Sequence, residues 1–134
     1  MAENPWERVT VWHELMSSDP QRAEKFYEEV LGLTTSALEG GPFPYIVWQQ
    51  EGRPIGGLVP PQDGQKGWPS GPTPHWVSSF AVADVNKAVE KAKKLGGQVL
   101  VPPMDIPQFG RAAVLKDIEG AVFGIFQKQE MDEE

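Results

Sequence analysis

The side chains able to do chemistry in this 134-residue chain are few. Cysteine is absent, which removes disulfides, thiolate nucleophiles and zinc-thiolate centres. The two histidines, His13 and His75, stand in no spacing that makes them a pair, and His75 follows Pro74 at a loop-strand junction where solvation or loop tethering is the ordinary role. There is no serine-elbow or zinc-protease motif, and Gly40-Gly41 and Gly56-Gly57 lack the strand-turn-helix setting of a phosphate loop. What remains is aromatic. Trp12, Tyr45, Trp48, Trp68, Trp76 and Phe109 are many large rings for a small domain. Their faces, with the Tyr45 hydroxyl, could hold a planar or aromatic metabolite, or simply fill the interior. Arg111, at the start of a strand in FGRAAVLKD, could attract an anionic group or pair with a neighbouring acid.

A second spacing concerns the phrases EGRPIGG at residues 51–57 and EGAVFGI at residues 119–125, which put Gly56 and Gly124 at the same offset from Glu51 and Glu119. The elements around them repeat as well. VTVWHELM from Val9 reads as a strand. Ser18 or Asp19 can cap a helix that starts at Pro20, carries Ala23, Phe26, Val30 and Leu31 along one face and stops at Gly32. Strands follow at YIVWQQ and around Ile55 to Val59. In the second half WVSSFAV reads as a strand, and Asp84 caps a helix with Val85, Ala88, Ala92 and Leu95 in line, closed by Gly96 and Gly97. QVLVP, RAAVLKD and AVFGIFQ then read as strands.

The expected fold class is therefore α+β: one domain over residues 1–134, made of two βαβββ modules at about 8–60 and 74–128. Two such sheets curling toward each other would enclose a shared cavity, the natural place for a ligand. The proline- and glycine-rich stretch PPQDGQKGWPSGPTP between them is a linker or a loop that brings Trp68 over the cavity mouth.

Hydrophobic residues make up 40% and charged residues 23%, an ordinary globular balance. The formal net charge of -7 opposes binding to nucleic acid or to an anionic membrane. No apolar run approaches the ~20 residues needed to cross a bilayer. The N-terminus lacks the layout of a signal peptide, so a cytoplasmic location is expected.

DPQRAEKFYEEVLGL, HWVSSFAVADVNKAVEKAKKLGGQVLVPP and FGRAAVLKDIEGAVFGIF together resemble the vicinal oxygen chelate superfamily, the glyoxalase/bleomycin-resistance/dioxygenase fold, over roughly residues 8–128. The resemblance implies two βαβββ modules around a shared cavity, a homodimer and, in many members, a divalent metal held by histidine, glutamate or glutamine on the first and last strand of each module. The matching positions here are Trp12, Val77, Gly56 and Gly124, none of which offers a metal ligand. No metal or other cofactor is expected on that count.

With Trp12 facing the cavity, strand alternation turns Glu14 and Met16 inward and His13 and Leu15 toward the helix. Glu14 is then an acid on the cleft side, either a general base or ligand anchor, or a carboxylate paired or solvated at the strand end. The expected site is Glu14 and Tyr45 for any proton transfer, with Trp12, Met16, Trp48, Trp68, Val77, Phe109 and Arg111 around a small-molecule ligand. Binding of an apolar or aromatic metabolite or drug is the first reading. The alternative is an enzyme, metal-free with Glu14 as acid/base or using an unrecognised divalent metal.

Overall fold

The computed structural model describes residues 10–38, 45–61, 67–106 and 110–128. The chain divides into two compact units, Met1–Ser78 and Ser79–Glu134. The first holds β1 (Val11–Met16), α1 (Pro20–Leu31), β2 (Thr34–Leu38), β3 (Tyr45–Gln50) and β4 (Arg53–Val59), its strands ordered β2-β3-β4-β1. β1 lies parallel to β4 and the other pairs are antiparallel. From β5 (His75–Ala81), in which the division falls, the chain continues through α2 (Val85–Lys94), β6 (Gln98–Ile106), β7 (Gly110–Lys116) and β8 (Val122–Lys128). These strands run in the order β5-β8-β7-β6, with β5 parallel to β8. Both halves are βαβββ modules, as the repeat implies.

Local chemistry explains where the helices begin. The Asp19 carboxylate accepts the Arg22 backbone N–H at 3.3 Å, Pro20 takes the first helical position, and Gly32 ends α1 with a left-handed φ of 71°. Asp84 caps α2 by accepting the Lys87 N–H at 3.1 Å. A further orphan donor, the Val85 N–H, is taken by the Gln127 side-chain oxygen at 2.9 Å, which ties α2 to β8.

Each unit has its own core. Leu15, Leu33, Trp48 and Leu58 form the first, with Ala23, Tyr27, Ile46 and Ile55 packed against it. Val85, Val89, Ala113, Leu115 and Ile125 form the second. The face of α1 differs from the expected one. Ala23 and Tyr27, one turn apart, are the residues of α1 that meet the core, whereas Phe26, Val30 and Leu31 are exposed. On α2 Val85, Ala88 and Ala92 meet the core as expected, Val89 is buried beside them, and Leu95 lies outside at 70% exposure. An i, i+4 pair points in one direction, and a residue one step away is turned by about 100°.

β2, absent from the sequence reading, is a polar edge strand, TTSAL, without apolar alternation. β6 runs further than QVLVP through Pro102-Pro103, because it too lies at the end of the strand order and shifts register at Val99/Val101 and Val101/Met104. Proline is tolerated at an edge or a bulge. Among the described residues no helix is long and apolar enough to cross a membrane.

Candidate functional site

β1 sorts its side chains by alternation. Leu15 enters the core beneath α1, so Trp12, Glu14 and Met16 take the opposite, helix-free face of the first unit. The pairing registers carry that face across the sheet: Glu14 stands beside Gly57, and Gly57 beside Val47. Tyr45, two residues before Val47, shares the face, and its ring reaches across Gly57.

The result is a short polar relay. The Tyr45 hydroxyl donates to Glu14 Oε2 at 2.7 Å, and the Trp12 indole N–H donates to Tyr45 Oη at 3.0 Å. A methyl group on Gly57 would overlap the Tyr45 hydroxyl, so glycine here is what lets the phenol reach the carboxyl. The neighbouring Gly56 serves a different end: a methyl there would overlap the His13 carbonyl oxygen of β1. Glycine-glycine in EGRPIGG thus admits a backbone on one side and a phenol on the other.

Burial drives the Glu14 carboxyl above its ordinary value, and the hydrogen bond from Tyr45, which favours the anion, offsets part of that rise. The Tyr45 phenol is held well above its own ordinary value, first by burial and then by the Glu14 charge, and therefore remains a donor. Glu14 binds its proton more tightly in the folded chain than in the unfolded one. Its contribution to stability is complete below the ordinary value of 4.5 and is lost as pH rises through the folded value. Glu14→Gln, uncharged throughout, should escape that loss. Thermal unfolding of both proteins from about pH 4 to about pH 8 should show the variant gaining relative stability as pH rises, and a constant difference would contradict the upward shift.

The other expected site residues are distributed unevenly. Met16 and Val77 are buried, and Trp12 is half-buried. Trp68 is half-buried and fastened in place, its indole N–H donating to the Val59 carbonyl at 3.1 Å. Trp48 is a correction. It is fully buried under α1 beside Leu15 and Leu58, edge-on to Tyr27 at 5.7 Å, because the β3 alternation that brings Tyr45 to the helix-free face sends Trp48 to the core. Of the two roles open to Arg111, pairing with an acid is the one seen: its guanidinium is engaged by Asp105 at 2.8 Å and by Asn86 on α2 at 3.1 Å. A strand start next to a helix N-terminus leaves those acceptors within its reach. Phe109 lies outside the described residues. His13 points away from the relay and its Nδ1 meets Ser78 Oγ at 3.2 Å. Trp76 contacts Tyr27, donating its indole N–H to the phenol oxygen at 3.1 Å.

Two features escaped the sequence reading. Gly57, not Gly56, is the residue across from Glu14, just as Gly124 is across from Ser79. Counting from the flanking glutamates misses this by one, because the register is set by strand pairing and not by the turn. The second is Ser70, whose Oγ meets His75 Nε2 at 2.6 Å within the proline-glycine stretch, where no fixed spacing signals it.

A divalent ion needs several anionic or imidazole donors converging on one point. Glu14 accepts from the Tyr45 phenol, which itself accepts from the Trp12 indole N–H, and His13 is on the other face. Among the described residues no group of three or more His, Cys, Asp or Glu side chains converges. The described residues do not fit such an ion.

Two βαβββ modules are the layout of a protein of the vicinal oxygen chelate type. The chain belongs to the Glyoxalase/Bleomycin resistance protein/Dioxygenase superfamily, whose family model matches residues 10–125. It is 39% identical over 118 residues to CFP32 of Mycobacterium bovis, whose name ranks it provisionally as a glyoxylase; the match covers 87% of this chain and 43% of that protein. It is 35% identical over 121 residues to the anthracycline biosynthesis protein DnrV of Streptomyces peucetius, covering 89% of this chain and 41% of that one. The chain thus spans less than half the length of these curated relatives. A solved methylmalonyl-CoA epimerase from Streptomyces coelicolor superposes with a TM-score of 0.63 at 14% identity, over 91% of this chain and 99% of that one. A variant of homoprotocatechuate 2,3-dioxygenase from Brevibacterium fuscum does so with a TM-score of 0.62 at 20% identity, over 93% and 33%. Those two likenesses establish the fold.

Proposed function

We propose that the protein binds a small, largely apolar or aromatic metabolite or drug on the helix-free face of the first unit, with Glu14 as its polar anchor and without a metal. The observation that carries this reading is the Tyr45 hydroxyl on Glu14 Oε2 at 2.7 Å. The phenol occupies one carboxyl oxygen and orients the other, in a setting that penalises the bare anion. A ligand hydroxyl or amine that donates to that oxygen relieves the penalty, and the Trp12 ring beside it supplies an apolar surface. The relative named for anthracycline biosynthesis supports an aromatic ligand class. We place the protein in the cytoplasm as a homodimer, apart from nucleic acid and membranes, in keeping with its net charge of -7.

Calorimetric titration with 2-naphthol, against naphthalene as the analogue lacking a donor, tests the anchor. Saturable one-site binding of 2-naphthol is expected, weakened by about 10-fold to 100-fold in Glu14→Ala, the range for a hydrogen bond to a charged group. Equal affinity for both compounds, or no effect of Glu14→Ala, would reject it.

The upward shift of the Glu14 carboxyl favours a second reading, metal-free proton transfer or hydrolysis with Glu14 as acid/base and Tyr45 as donor. The two readings separate in Glu14→Gln, whose amide oxygen can still accept from Tyr45 while its NH2 donates to a ligand hydroxyl oxygen. Binding should survive in that variant under both readings, and any turnover should vanish under the second.

A further inference from the structure

The Pro/Gly-rich segment before β5 carries an arrangement that the Glu14 relay does not use. Trp68 and Gly71 close a tight turn through two backbone hydrogen bonds, Trp68 N–H to Gly71 O at 2.9 Å and Gly71 N–H to Trp68 O at 3.0 Å. Ser70 sits inside that turn. Its Oγ meets His75 Nε2 at 2.6 Å, and the opposite ring nitrogen, Nδ1, meets the Thr73 carbonyl oxygen at 2.5 Å.

The carbonyl settles which nitrogen holds the proton. A carbonyl oxygen can only accept, so Nδ1 carries the hydrogen and the Nε2 lone pair faces the Ser70 hydroxyl. The imidazole is thereby a base aimed at a serine and oriented from behind by a fixed acceptor, which is the functional logic of an activated nucleophile. The ring is held on a further side. The Trp68 indole lies edge-on at 5.8 Å and is itself fastened to Val59. A methyl on Gly71 would stand only 3.3 Å from His75 Cε1, so that glycine leaves the imidazole room to sit close. Both Ser70 and His75 are half-buried.

We propose that Ser70 and His75 form a second reactive site, a histidine-activated hydroxyl that takes acyl groups from small activated esters. Ser70 Oγ attacks the acyl carbon and passes its proton to His75 Nε2. The ester C–O bond breaks, and the imidazolium returns the proton to the departing oxygen, leaving an alcohol or phenol and acyl-Ser70. Water, deprotonated by the same nitrogen, then releases the carboxylic acid and restores the hydroxyl. No oxidant or cofactor enters the balance.

p-Nitrophenyl acetate is a suitable probe. The intact protein should release a burst of p-nitrophenol, and mass spectrometry should find one acetyl group on the peptide containing Ser70. Ser70→Ala should abolish both, and His75→Gln should slow Ser70 acetylation by about 100-fold or more, the usual contribution of a positioned base. A merely structural role for His75 would shift tryptophan fluorescence or the unfolding midpoint without that loss of rate. Acetylation confined to lysines or the N-terminus, or a Ser70 rate unchanged in His75→Gln, would overturn the proposal.

Discussion

Gly57→Ala should separate Tyr45 from Glu14. A methyl at this position would occupy the space of the phenol oxygen, and the nearest backbone is not what obstructs it. The strand therefore survives and the tyrosine side chain swings away. Glu14 then loses its donor while remaining desolvated, and Trp12 loses its acceptor. A buried polar group left unpaired costs about 1–3 kcal/mol, so chemical denaturation should show a loss of that size. The same displacement should weaken 2-naphthol by about 10-fold or more, since the carboxyl is no longer oriented. The Glu14 carboxyl should also rise further, because the interaction that lowers it is gone. Stability and affinity both equal to those of the parent would mean that the relay does not organise this face.

Trp48→Ala should have the largest effect on stability. Trp48 is fully buried in the first core, between Leu15, Leu33 and Leu58, with Tyr27 edge-on at 5.7 Å and Trp76 tilted at 6.3 Å. Removing a buried aromatic side chain costs about 3–5 kcal/mol in lost transfer energy and residual cavity. For a chain of this size that corresponds to a fall in Tm on the order of 10 °C or more. Trp48→Phe should cost much less. It keeps a ring against Tyr27 and removes the indole N–H, which is buried without a hydrogen-bond partner among the described residues. A calorimetric scan in which both variants fall equally would show that the ring contact is not what stabilises this core.

The features legible in the sequence are those written in local chemistry. Asp19 with Pro20, and Asp84, announced the two helix starts because a capping carboxylate and a fixed φ act within one turn. YIVWQQ coincided with β3 because its apolar and β-branched residues leave little alternative. The double module was legible because the same sequence of signals occurs twice. Alternation also put Trp12 and Glu14 on one face of β1, and the hydrogen bond between Glu14 and Tyr45 follows from β1 and β3 flanking β4.

What escaped depends on partners distant in sequence. The edge strand β2 is polar and takes its conformation from β3. Trp48 looked like a ligand-facing ring only until the β3 alternation was anchored by Tyr45. Arg111 found Asp105 and Asn86 through strand pairing and helix packing, neither of which spacing encodes. The offset of Gly57 from Gly56 is a matter of register, and one residue of slip exchanges the two faces of a strand.

In the proposed function, the helix-free face of the first unit receives a small aromatic donor at Glu14. Amide and indole proton-nitrogen spectra recorded during a 2-naphthol titration test it most directly. Saturable shifts should centre on the Trp12 indole, Glu14, Tyr45 and Gly57 and be lost in Glu14→Ala. Saturable shifts confined to the second unit, or none at all on β1, β3 and β4, would contradict it.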